Sequence, residues 1–242
     1  GISGGIDSTV VAAICSEINK RNPSIKFHGV SMPIKNKEDE FSSSVIVGKA
    51  FCGEDNFEIF ELKDTYSLVS QDFIESKRAF LIKNEGCVIS NISTPISQGN
   101  IQARLRMMYL YDLASIGRGI VFSTDNATEY NLGFWTLHGD VGDFNPIGGL
   151  WKTEVFKLAE WYKDNYVQER IKDTNNYFES GGIKTHGPVK FQVMMDDSIY
   201  KAITESLKLK PTAGLGITNN DLEEIGAESY DQVDSILKEI LV

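Results

Sequence analysis

The chain has 242 residues, 41% hydrophobic and 24% charged, a balance ordinary for a globular protein with one sizeable core. Its formal net charge of −10 argues against nucleic acid as a partner, because a phosphate backbone attracts a basic footprint. No apolar run approaches the roughly 20 residues of a membrane-spanning helix, and no signal peptide is visible, so no membrane partner is expected and the cytoplasm is the default location.

The opening stretch, Gly1-Ile2-Ser3-Gly4-Gly5, reads as a loop leaving a buried strand, with that strand expected ahead of Gly1. Residues 8–21 follow as a helix with Val11, Ile14, Cys15 and Ile18 on one face. Residues 27–32 form a short apolar run closed by Pro33, hence a buried strand. Residues 39–51 are a weaker helix, 57–62 a second strand and 65–83 a further helix. Residues 100–116 give a long helix, almost wholly apolar from Met107 onward, and 119–123 a strand ending in polar residues. Such alternation predicts an α/β fold, a doubly wound parallel sheet with helices on both faces. The second half is less regular. Residues 152–163 and 196–207 read as helices, whereas 166–193, with Gly181, Gly182, Gly187 and Pro188, reads as a surface excursion. Two capping-box patterns, Asn220 with Glu223 and Ser229 with Gln232, mark short final helices. Cys15, Cys52 and Cys87 are odd in number and widely spaced, as expected of thiols in a reducing compartment.

The chemistry begins at Ser3-Gly4-Gly5-Ile6-Asp7-Ser8, ahead of a helix. Glycines admit an anion close to the backbone, and a helix N-terminus offers free N–H groups and a positive dipole end. Ser3 and Ser8 add hydroxyls, and Asp7 is placed to hold Mg²⁺ against phosphates. No lysine follows, so this is not a Walker loop. Further on, Ser123-Thr124-Asp125-Asn126-Ala127-Thr128-Glu129 follows a strand, at the sheet edge where ligands bind.

The first hexapeptide resembles the signature of the ATP-pyrophosphatase superfamily, which includes GMP, asparagine, argininosuccinate, tRNA-lysidine and NAD synthetases. That resemblance implies cleavage of ATP to AMP and pyrophosphate without selecting the acceptor. The segment Gln98-Gly99-Asn100-Ile101-Gln102-Ala103-Arg104-Leu105-Arg106-Met107 looks like the hallmark helix start of NAD synthetases. Two arginines in the first turns of a helix oppose its dipole, so an anionic partner is expected there. The segment from Gly139 to Pro146, with Trp151-Lys152 beyond it, is similar to the family's Gly-Asp-rich loop, though one residue shorter and with Leu137 where a lysine is usual. Lys210-Pro211-Thr212-Ala213-Gly214 resembles its Pro-Thr-Ala loop, and the usual C-terminal His-Lys pair is absent.

The resemblance implies one synthetase domain over 1–242 of the adenine-nucleotide alpha hydrolase-like type, in which residues 164–208 diverge. It implies ATP contacts at Ser3, Gly4, Gly5, Asp7, Ser8, Met32, Thr124, Lys152 and Thr212. It places Asp7 and Glu129 on Mg²⁺, and Arg104 and Asp143 on the dinucleotide, with Arg106 structural. The implied reaction converts deamido-NAD (nicotinate adenine dinucleotide) to NAD through an acyl-adenylate, in a homodimer with the dinucleotide near the interface. No covalent nucleophile is needed. Free ammonia is the expected nitrogen donor, because Cys15 lies on an apolar helix face and neither Cys52 nor Cys87 has a nearby histidine. Another ATP-pyrophosphatase ligase, GMP synthetase-like or tRNA-modifying, and a catalytically inactive nucleotide-binding module remain the alternatives.

Overall fold

The computed structural model describes residues 1–83, 94–179, 197–210 and 221–241. Among them the parallel sheet pairs β1 (Gly29–Ser31) with β2 (Phe57–Ile59), in the register Gly29 to Phe57, Val30 to Glu58 and Ser31 to Ile59. The chain start extends this edge, since the Ile2 N–H donates to the Val30 carbonyl at 2.8 Å.

Side-chain alternation along β1 sorts the helices into two layers. Val30, with Met32 and Ile34 beyond it, packs with Leu62, Tyr66 and Leu105, which belong to α3 (Lys63–Lys83), the turn before it and α4 (Pro95–Gly117). Ser31 points the other way, its hydroxyl 2.8 Å from that of Ser44 in α2 (Glu38–Cys52). On that side α1 (Ile6–Arg21), α2, α6 (Lys152–Glu179) and α7 (Ser198–Lys208) share the larger core, with Val10, Val47, Val155 and Ile203 buried in it. Helices thus cover both faces, as the alternation of elements predicts.

Several boundaries depart from the sequence expectation. The segment 119–123 makes only a single parallel bridge, Phe122 to Phe144. The Asp143 carboxylate takes the Val121 N–H at 2.8 Å, and Gly142 lies so close that a Cβ there would meet the Val121 carbonyl at 2.6 Å. A loop edge thereby takes the place of a full strand partner. Helix α4 begins at Pro95, five residues before the expected start, because Thr94 caps it through the Ser97 N–H and proline suits the first helical position. Arg104 and Arg106 therefore sit well inside α4, not in its first turns, and the dipole argument for an anion there falls away. Helix α6 runs without a break to Glu179, so residues 166–179 are helical where an excursion was expected. The remainder of that stretch, with His186, lies outside the described residues, as do Cys87, Asn220 and Thr212. Short α5 (Ala127–Leu132), α8 (Asp221–Ile225) and α9 (Tyr230–Ile240) complete the described helices. Ser229 caps α9 through the Gln232 N–H at 3.3 Å.

Candidate active site

A cavity of about 640 Å³ opens where the N-termini of α1, α5 and α6 meet the inner face of α4. Its floor is the Gly-rich turn. Gly4 has φ +86°, and a Cβ on it would lie 2.5 Å from the Ser44 N, so only glycine brings this turn onto α2. Gly5 caps α1 without any side-chain hydrogen bond, which leaves the helix's first N–H groups to face the cavity. Ser3 and Ser8 flank them with their hydroxyls 3.0 Å apart.

Across the cavity a capping box fixes α5. Asn126 accepts from the Glu129 N–H at 3.1 Å, and the Glu129 carboxylate accepts from the Asn126 N–H at 3.2 Å. The amide of Asn126 also donates to Asp7 at 2.9 Å, tying α5 to α1. Between them lies the Lys152 ammonium, 2.5 Å from Asp7 Oδ2 and 2.9 Å from Glu129 Oε1, with its side chain only 2% exposed. Burial alone would push its pKa down. The two carboxylates outweigh that and hold it above the ordinary lysine value. Burial, then the charge of Asp7, drives Glu129 well above the usual carboxylate range, against the pull of Lys152. Asp125 rises to about 6, through burial first and then the neighbouring Asp140 and Asp7. The result is an acidic, largely buried cluster in which Lys152 bridges two carboxylates.

Both carboxylates converge on the Lys152 ammonium, which fills the position between them, so a divalent cation would be held on their remaining lone pairs, toward the cavity. Two carboxylates leave most positions of an octahedral divalent cation to water and phosphate oxygens, the usual way Mg²⁺ is held beside nucleotides. Among the described residues no cluster of three or more His, Cys, Asp or Glu is arranged for a metal, so a cation here would depend on a phosphate ligand. The donor set fits that arrangement.

Of the residues expected at ATP, Ser3, Gly5, Asp7, Ser8, Met32, Thr124 and Lys152 line this one cavity, and Glu129 with them. Gly4 shapes the turn from behind. The two residues expected at the dinucleotide lie elsewhere. Arg104 is exposed on the outer face of α4, its Nε donating to the Leu137 carbonyl at 3.1 Å. Exposed Asp143 takes the Val121 N–H and sits 3.4 Å from the Tyr111 hydroxyl. Arg106 instead lines the cavity, with its Nε donating to the Met32 carbonyl at 3.0 Å. The signal for this was present in the sequence: Ala103, Arg106, Met107 and Leu110 recur at helical spacing on the cavity side, and Arg104 falls outside that stripe. Asp125, Asp140 and Lys210, to which the motifs assign no role, also line the cavity.

A family model described as NAD synthase matches residues 1–174. The chain belongs to the NAD synthase family. Among its relatives, the NH(3)-dependent NAD(+) synthetase of Helicobacter pylori (strain P12) is 35% identical over 227 residues, covering 93% of this chain and 78% of that protein. The corresponding protein of Campylobacter jejuni (strain 81-176) is 32% identical over 174 residues, or 70% of this chain. That match spans 61% of the Campylobacter protein's length. Among solved structures, the NMN synthetase of Francisella tularensis superposes with a TM-score of 0.67 at 24% identity, covering 99% of this chain and 75% of the other. An NAD+ synthetase of Burkholderia pseudomallei gives 0.55 at 22%, covering 98% and 71%. These superpositions establish the α/β fold that NAD and NMN synthetases share.

Proposed function

We propose that the chain catalyses the ATP-dependent amidation of deamido-NAD to NAD with ammonia, releasing AMP and pyrophosphate. The observation that carries this reading is the convergence of Asp7, Glu129 and Lys152 at the uncapped N-terminus of α1, inside a cavity with room for a nucleotide. Membership of the NAD synthase family supports the choice of acceptor.

The β- and γ-phosphates lie on the free N–H groups of α1 and on Ser3 and Ser8, where the helix dipole favours negative charge. Asp7 and Glu129 would hold Mg²⁺, which offsets phosphate charge and the charge building on the leaving pyrophosphate. Lys152 supplies a fixed positive charge to the same oxygens, and Arg106 a guanidinium on the opposite wall. The substrate carboxylate attacks the α-phosphorus; a carboxylate–phosphorus bond forms as the bond to pyrophosphate breaks. Ammonia then adds to the acyl carbon, and AMP leaves. No side chain acts as a covalent nucleophile, so the protein contributes orientation and charge. Buried Cys15, its thiol pushed up to about 12 by desolvation and Cys52, is unsuited to releasing ammonia from glutamine.

Arg104 and Asp143 belong to the dinucleotide in this reading, and the protein works as a homodimer. Both lie outside the cavity, on the outer side of α4, beside exposed apolar side chains that a second copy would cover. The whole reading is tested by incubating the chain with ATP, Mg²⁺, deamido-NAD and ammonium. Equal amounts of AMP and NAD are expected. AMP without NAD, or neither, overturns it.

A further inference from the structure

The C-terminal helix α9 reaches the site through one buried carboxylate. Asp234 is 2% exposed. Its Oδ1 accepts from the Thr128 hydroxyl at 2.6 Å, and its Oδ2 accepts from both the N–H of Thr153 at 3.0 Å and its hydroxyl at 2.7 Å. Thr128 closes the junction. The Lys152 N–H donates to its hydroxyl oxygen at 2.8 Å, which leaves the hydroxyl hydrogen for Asp234. Thr128 directly precedes Glu129 at the start of α5, and Thr153 directly follows Lys152 at the start of α6. One carboxylate therefore fastens the backbone on both sides of the Lys152–Glu129 ion pair, 2.9 Å long.

We propose that Asp234 is a positioning residue that sets the spacing between Glu129 and Lys152. This rests on the function proposed above for those two side chains. The reasoning is geometric. α5 has only 6 residues and cannot hold its own orientation by length. α6 is long and anchored in the larger core. Something must fix the first turn of one against the first turn of the other, because the cation site is made from both. A carboxylate can accept all three hydrogen bonds. Asparagine has a single acceptor oxygen; with that oxygen turned to the two Thr153 donors, its amide faces Thr128, whose buried hydroxyl hydrogen loses its acceptor.

The test is a double-mutant cycle in denaturant stability between Asp234→Asn and Lys152→Met, run beside turnover assays of the single variants. Neighbours that share a network are coupled, and independent sites are additive. The double variant's unfolding equilibrium constant is expected to depart about threefold or more from the product of the single effects. Asp234→Asn should also lower kcat by about tenfold or more, the penalty of a site held slightly out of place, with little change in KM for deamido-NAD. Val233→Ala, a buried neighbour on α9 outside the junction, is the control for stability loss. Additivity in the cycle overturns the proposal. So does a kcat loss no larger than that of Val233→Ala at matched stability. Should Asp234→Asn fail to fold, Thr153→Ala takes its place in the same cycle. A wild-type chain without turnover sinks the functional reading, while the cycle still decides the role of Asp234.

Discussion

Lys152 brings a full positive charge into the interior because two carboxylates meet it there. Their mutual repulsion is what the ammonium relieves, so Lys152→Met should cost more than a lost hydrogen bond, about 3 kcal/mol. Denaturant melts at neutral pH measure it. Mg²⁺ should then raise the melting temperature of Lys152→Met more than that of the wild type, since a divalent cation can enter the vacated position between Asp7 and Glu129. A melting temperature indifferent to Mg²⁺ removes those two residues as a metal pair. Asp125 carries the pH dependence with the plainest sign. Its folded pKa, about 6, lies above the ordinary 3.8, so the folded state binds more protons between those values. Stability contributed at this position is full below the ordinary value and declines as pH rises through about 6. Asp125→Asn should flatten that part of the stability–pH curve. An unchanged slope across that interval removes Asp125 as its source.

At the scale of elements, the glycine turn and α1 were legible because their chemistry is local. Gly4 shows the physical content of the motif, and Gly4→Ala should cost about 1–3 kcal/mol for the positive φ alone, before the clash with Ser44 is counted. Thermal melts check this, and an alanine variant as stable as the wild type would mean that the turn has another conformation open to it. Other boundaries depend on tertiary contacts, or on a cap that lies outside the apolar stretch. Thr94-Pro95 marks the start of α4 locally, as a cap followed by proline at the first helical position, whereas the Gln98-to-Met107 segment lies further along the same helix. The full length of α6 was obscured by polar residues from Asp164 onward, which suit a solvated helix as well as a loop. At 119–123 the full strand gives way to contacts from a loop 22 residues along the chain, which no local pattern encodes. The junction at Asp234 was out of reach for the same reason: its threonine partners come from two helices separated from it by 106 and 81 residues.

Across the whole molecule, the outer face of α4 is where assembly should occur. Met108 is 59% exposed and Ile116 76%, and Tyr111 lies between them on the helix. Tyr111 reaches Asp143, whose neighbour Phe144 is also exposed, and Arg104 one turn before Met108 reaches Leu137. At helical spacing Arg104, Met108 and Tyr111 share one exposed face of α4, apolar along its middle with Arg104 and Asp143 beside it, the anatomy of a protein interface. A twofold pairing would lay the same patch on itself, and a stable one needs about 800 Å² from each copy. It would also bring Arg104 and Asp143 of one copy toward those of the other, giving the dinucleotide a site between copies while ATP keeps its cavity within each. Met108→Glu separates these roles. An exposed substitution should leave the fold's own stability within about 0.5 kcal/mol, so a change in assembly can be read without unfolding. Sedimentation should show a dimer for the wild type and a monomer for Met108→Glu. Calorimetry should show weakened binding of deamido-NAD with ATP binding retained, because the cavity's lining does not include Met108. A monomeric wild type, or a Met108→Glu dimer that binds the dinucleotide normally, would place assembly and substrate recognition on another face.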